Sequence, residues 1–213
     1  MPRVDGEHVL RALAFREPTR IEEAVASRAG VAVVLRDTPS GFEVLFIRRA
    51  DHEGDPWSGQ VAFPGGRAEP GEDLAATAVR ETREETGIDL ARVGEALGEL
   101  DEVRAMARMR PMDLSIGVFV FRLRGPVETV RSEEVRSLHW VSLDKALAPE
   151  AQSTMEYLYQ GTPLEFPCLR LEGLVIWGLT YRMFTNFQRV LEATSGTPGA
   201  TREPQGAHPG RPS

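Results

Sequence analysis

The chain of 213 residues has one cysteine, three tryptophans, three tyrosines and little excess of basic charge anywhere along it. The single Cys168 excludes an internal disulfide and a zinc site built from several cysteines. No apolar run reaches the roughly 18 residues that a membrane-spanning helix needs. No signal-peptide core follows Met1-Pro2-Arg3, so the expected location is the cytoplasm and no membrane partner is expected. Lys and Arg number 25 against 32 Asp and Glu, a net charge of −7. A nucleic-acid partner is therefore not expected, because phosphate backbones call for clustered cations. A local anion pocket stays compatible with this balance, since net charge says little about one cleft.

What is present is ordinary globular material, 41% hydrophobic and 27% charged, enough for one α/β domain over residues 1–193. From Thr194 to Ser213 the chain is rich in Pro, Gly, Ser and Thr, and is expected to be a disordered tail. GEHVLRALAF places Val9, Leu10 and Leu13 at helical spacing, with Pro18 beyond. AGVAVVLRD and FEVLFIRRA, joined by a turn at Pro39-Ser40-Gly41, predict two strands. QVAFP predicts a short strand ahead of a Gly-Gly pair, LSIGVFVFRLRG a strand buried on both faces, and SLHWVSLDKALA a strand, a turn and a helix start. GLVIWGLTYRMFTNFQRVLEA predicts one long amphipathic helix with Val175, Leu179, Met183 and Phe184 on its buried side. A mixed sheet sandwiched between helices is the expected architecture.

The unusual stretch is GRAEPGEDLAATAVRETREETGID, residues 66–89. A helix is predicted from about Asp73 to Thr86, with Glu72 and Asp73 at its positive end and Gly87 placed to close it. Ala75, Ala78, Val79 and Thr82 form a small-residue stripe suited to packing on a sheet. Glu81, Glu84 and Glu85 fall at i, i+3 and i+4 and are read as sharing the other side. Like charges at that spacing repel, and Arg80 and Arg83 relieve the repulsion only in part. A solvated face and a site for a hard divalent cation both fit these residues.

The wider spacing adds a resemblance. Gly66, five residues, Glu72, seven residues, Arg80-Glu81, two residues, Glu84-Glu85, one residue and Gly87 followed by Ile88 is similar to the signature of the Nudix hydrolases. Chance alone would match these positions in roughly 10⁻⁶ of chains this long. Thr82 departs from the aliphatic residue usual there, on the packing side of the helix. The resemblance implies a Nudix fold and hydrolysis of nucleoside diphosphates linked to another moiety, with Mg²⁺ or Mn²⁺. By motif position it implies Glu81 and Glu85 as metal ligands, then Glu84 and Glu72, with the backbone at Gly66 available to the metal. Arg80 is implied as the residue that orients a box glutamate. The general base is either a box glutamate or an acid of a later loop. Glu134 is favoured over Glu133, and Asp101 and Glu102 are read as further candidates on a rim loop.

LFIRRA followed by GQVAFPGG, with the later IWGLT, resembles the coenzyme A pyrophosphatase branch. Ala50 stands where that branch has serine, its downstream arginine is absent at Gly54, and the spacing is one residue longer. The substrate implied is coenzyme A or an acyl derivative, split to 3′,5′-ADP and 4′-phosphopantetheine. ADP-ribose, an ADP-sugar or a dinucleoside compound is the alternative. Arg48 and Arg49 are candidates for substrate phosphate and Trp57 for stacking on a base. Phe63 and Trp140 are read as core or anchoring residues, and His52 and His139 are given no role. A non-catalytic nucleotide-binding module would be expected to lack box carboxylates, all of which are present. A homodimer is expected only by analogy with other family members.

Overall fold

The computed structural model describes residues 4–14, 16–54, 57–107, 110–159 and 161–195. Strand β1 (Ser27–Thr38) lies at the centre of a seven-stranded sheet. It pairs in parallel with β6 (Arg110–Leu123) and antiparallel with β2 (Gly41–Arg49), across the turn foreseen at Pro39-Ser40. β3 (Val61–Ala62) and β7 (Val135–Ser142) pair with β2, and β5 (Gly94–Ala107) pairs with β6. The result is a mixed sheet, as the runs of Val, Ile, Leu and Phe suggest.

The side of β1 away from β6 is divided. Leu35–Thr38 pair with β2, but Ala29–Val31 pair with β4 (Gly65–Arg67). Between them the Ala32 N–H donates to the Pro64 carbonyl. The β3–β4 segment is thus wedged into a splay between two strands, and the site opens there.

Helix α2 (Leu74–Thr86) covers one face of the sheet. Its ends form as the sequence predicts. The Asp73 carboxylate accepts from Ala75 and Ala76, and Gly87 at φ 75° donates its N–H to the Arg83 carbonyl. Leu74, Ala78 and Thr82 bury against the sheet, and Thr82 Oγ1 satisfies itself on the Ala78 carbonyl at 2.7 Å. The approach is very close: a Cβ on Gly30 would lie 2.1 Å from the Leu74 carbonyl oxygen. The short helices α3 (Leu90–Val93) and α4 (Leu143–Leu147) follow α2 and β7, and on the opposite face lie α1 (Gly6–Ala14) and α5 (Gly178–Ser195), whose Met183, Phe184 and Phe187 join the larger core cluster.

Several expectations are corrected. The predicted long C-terminal helix is a strand, β10 (Leu174–Trp177), followed by α5, with Gly178 at φ 63° making the switch. Val175 is therefore a strand residue paired with Arg170. β10, β9 (Thr162–Leu171) and β8 (Gln152–Tyr159) form a separate three-stranded sheet not foreseen in the sequence. Asp101 and Glu102 lie in β5, not in a rim loop. The buried Glu102 carboxylate accepts from Arg28 at 2.6 Å and from the Ile21 N–H at 3.0 Å. Thr194 and Ser195 belong to α5, whereas the rest of the predicted tail lies outside the described residues. Among the described residues no helix is long and apolar enough to cross a membrane.

Candidate active site

A cleft of about 510 Å³ sits beside the splay between β1 and β2. Four elements bring charge to it. α2 supplies Glu81 and Glu85, the end of β2 supplies Arg49, β4 supplies Arg67, and the approach to β7 supplies Glu134. The Glu134 backbone is anchored there, its carbonyl accepting the Ala50 N–H at 2.8 Å.

Glu85 is 3% exposed, and Gly65 donates its N–H to Oε2 at 2.9 Å. Its Oε1 lies 4.0 Å from Nη1 of Arg49. Burial therefore dominates and pushes its pKa up to about 8, with Glu81 and Glu134 adding repulsion. Glu81 is partly buried and raised as well, by burial first, against the relief that Arg80 gives.

Arg80 ties the other acidic side chains together. Its Nε and Nη2 hold both oxygens of Glu72 at 2.9 and 3.0 Å. Nη1 donates to Glu81 at 2.8 Å and to Glu84 at 3.1 Å, and Nη2 also reaches the Arg67 carbonyl. That fork holds Glu72 down to about 2 and raises Arg80 itself. Gly66 lies directly beside Glu81: a Cβ there would stand 2.4 Å from the Glu81 carboxyl carbon.

The three helical glutamates thus do not share one outer face. Glu85 is turned inward beneath β4, Glu81 faces the cleft, and Glu84 is exposed and outside its lining. Glu72 also stands outside the lining, beside Arg80. Arg49 and Trp57 line the cleft, but Arg48 does not, because it projects into a separate cavity. Phe63 is core, stacked on Phe46 at 5.0 Å between ring centroids, and Trp140 lies under Arg36. His139 bonds Ser137, and the His52 N–H donates to Ser58. The sequence reading missed the apolar wall formed by Met112, Leu114, Ile116, Leu179 and Met183. Those residues carry no signal apart from core periodicity, and only the approach of α5 to the sheet edge turns them toward the cleft.

The donor set suits a hard divalent cation. Two carboxylates, Glu81 and Glu85, line one cleft, and burial raises the pKa of both. A neighbouring glycine leaves the backbone open to close approach. Among the described residues no three acidic, histidine or cysteine side chains converge on one point. Arg80 occupies oxygens that a cation would otherwise share.

Comparison with known proteins bears on the family and the fold. The family model of the NUDIX domain matches residues 26–161. Proteins called "Uncharacterized Nudix hydrolase NudL", from Yersinia pestis (strain Pestoides F) and Yersinia pseudotuberculosis serotype O:1b (strain IP 31758), are each 33% identical over 156 residues. Those alignments span 70% of this chain and 71% of theirs. A MutT/nudix family protein from Enterococcus faecalis shares the fold at a TM-score of 0.55 and 19% identity. That match covers 89% of this chain and 70% of the other.

Proposed function

The chain belongs to the Nudix hydrolase family, whose members act on pyrophosphate bonds, and on that premise we propose that its cleft hydrolyses coenzyme A or an acyl derivative. The observation that carries the reaction type is the pair Glu81 and Glu85, carboxylates of one helix raised in pKa by burial in one cleft, with Arg49 beside Glu85. Glu81, Glu85 and the backbone at Gly66 would hold a Mg²⁺ or Mn²⁺ ion, with Glu84 and Glu72 behind them. Such an ion would neutralise phosphate oxygens and lower the pKa of an attacking water.

The chain's own residues then have separate tasks. The Gly65 N–H fixes the Glu85 carboxylate, and the Arg80 fork fixes Glu81, so both are oriented before substrate arrives. Arg49 meets the negative charge of the diphosphate. Glu134, exposed at the rim of the cleft, takes the proton of the water as it adds to phosphorus. The bridging P–O bond breaks, and its oxygen leaves with the second product. One water is consumed, and two phosphate monoesters result, 3′,5′-ADP and 4′-phosphopantetheine for coenzyme A. Trp57 stacks on a base, and the wall with Met112 and Met183 takes an uncharged chain, to which flexible thioethers adapt.

The test is a substrate panel of coenzyme A, ADP-ribose, ADP-glucose, NADH and diadenosine polyphosphates with Mg²⁺ or Mn²⁺. Coenzyme A should turn over, and Glu85→Gln should lose about 10²-fold or more without unfolding. Turnover of ADP-ribose but not coenzyme A would refute the substrate and leave the reaction type standing. Equal rates for wild type and Glu85→Gln would refute the site, and binding without turnover of any compound would favour a nucleotide-sensing module.

A further inference from the structure

A second cavity, of about 510 Å³, shares Gln60 and Val61 with the catalytic cleft but none of its glutamates. Two sheets build it. β2 contributes Arg48, and the three-stranded sheet contributes Tyr157, Arg170 and Trp177. Among the described lining residues the one acid is Glu156, an exposed residue of the outer strand β8.

The Arg48 Nε is buried and has no hydrogen-bond partner. Among the described residues no carboxylate lies within ion-pairing distance of it. Buried donors are nearly always satisfied, and this under-satisfied guanidinium belongs to a residue that lines the cavity. His139, on the neighbouring strand β7, is consistent with an unneutralised cation here: burial and then the charge of Arg48 hold it below the ordinary imidazole value.

A second cation and a ring face are positioned by strand register. Arg170 stands opposite Val175, and Trp177 opposite Cys168, so all four side chains share one face of the small sheet. Arg170 is held in place by donating Nε and Nη2 to the Thr154 carbonyl at 3.4 and 3.2 Å. The Tyr157 and Trp177 rings lie 5.2 Å apart with 37° between their planes, and both remain partly exposed. Two arginines beside half-exposed aromatic rings are the elements that recognise a phosphate on a planar base.

We propose that this notch binds a phosphate monoester attached to a planar base, with Arg48 and Arg170 on the phosphate and Trp177 and Tyr157 against the base. Two sources share that chemistry. The phosphate can belong to an extended substrate that crosses the Gln60–Val61 wall from the cleft, a case that rests on the proposed pyrophosphohydrolase function and moves the base from Trp57 to the notch. It can equally belong to a separate nucleotide.

The experiment titrates adenosine 3′,5′-bisphosphate into the full chain in EDTA by calorimetry, with adenosine as the control. Wild type should bind the bisphosphate at least tenfold more tightly than adenosine. Arg48→Gln and Arg170→Gln should each weaken it tenfold or more, whereas Glu85→Gln should not. Arg170 is exposed, so its variant keeps the test informative if Arg48→Gln does not fold. No binding by wild type, or binding abolished by Glu85→Gln and untouched by both arginine variants, overturns the proposal. Kinetics then separate the sources. A wild-type preference for coenzyme A over its 3′-dephospho form that Arg48→Gln abolishes assigns the phosphate to the substrate. Equal turnover of the two, with added bisphosphate altering the wild-type rate and not that of Arg48→Gln, assigns it to a separate ligand. Turnover of neither refutes the proposed reaction, and the calorimetry still decides whether the notch binds.

Discussion

Removing the charge of Glu85 should change how stability depends on pH in the metal-free protein. Folding raises the Glu85 pKa from its ordinary 4.5 to about 8. Between those values the folded chain keeps a proton that the unfolded chain has lost. Stability therefore falls as pH rises, by about 1.4 kcal/mol per pH unit, and by roughly 4–5 kcal/mol across the whole window. That is a large share of the roughly 5–15 kcal/mol typical of a folded domain. Glu81, also raised, contributes a slope of the same sign. Glu72 acts oppositely and elsewhere: held down to about 2, its contribution is present above 4.5 and lost only as pH falls below that value. Glu85→Gln deletes the largest of these slopes while leaving an oxygen to accept the Gly65 N–H. Urea unfolding in EDTA at pH 5.5, 6.5 and 7.5 should show the wild type losing about 2–3 kcal/mol relative to Glu85→Gln across that range. Mg²⁺ at pH 7.5 should restore stability to the wild type more than to the variant. Parallel stability curves for the two proteins would refute the placement of Glu85 as a buried, under-neutralised carboxylate.

Other substitutions separate the geometry of the site from the packing beneath it. Gly66→Ala puts a Cβ 2.4 Å from the Glu81 carboxyl carbon, at the movable end of a side chain. It should lower kcat about 10–100-fold with little change in Tm, and unchanged turnover would count against Glu81 acting where it stands. Gly30→Ala meets backbone instead, at 2.1 Å from the Leu74 carbonyl oxygen, and should cost about 1–3 kcal/mol in urea unfolding. Arg80→Lys cannot reproduce a fork that reaches Glu72, Glu81 and Glu84 at once, so steady-state kinetics should show kcat reduced about 10–100-fold. Thr82→Val removes a hydroxyl bonded only to its own helix and should shift stability by less than about 1 kcal/mol in the same unfolding assay.

Elements defined by local chemistry were legible in the sequence. The caps of α2 are single residues, Asp73 and Gly87, whose preferences do not depend on the rest of the fold. β5 escaped notice because bulges between Ala96 and Gly98, Leu100 and Val103, and Arg104 and Met106 interrupt its alternation. The β8–β9 hairpin was concealed by Pro163 and Pro167, which argue against a strand with neighbours on both sides. β10 pairs only with Cys168 to Leu171, so both prolines sit where β9 has a single partner. The sequence makes Arg48 and Arg49 equal candidates for substrate phosphate. Adjacent strand residues point to opposite faces, and the register shift between them on β7 sends the two into different cavities. Which face belonged to which cavity depended on strands distant in sequence.

Glu85 is the instructive case, because its position was encoded and was nonetheless misread. At about 100° per residue it lies roughly 20° around the helix from Ala78 and about 60° from Thr82, within the buried arc that runs from Leu74 to Thr86. It belongs to the packed face, on the side nearer Glu81. Glu84 lies about 160° from Thr82, and its side chain is exposed accordingly. Counting i, i+3 and i+4 from Glu81 groups all three acids together, whereas measuring from Thr82 separates them. The second measurement explains why one glutamate is dehydrated, held by the Gly65 N–H and raised in pKa, while its neighbour is solvated. A carboxylate on that face costs folding stability when it is charged and nothing compensates it. A divalent cation bound at Glu85 would therefore be tied to the stability of the fold, and Glu84, in solvent, is not placed to have that effect.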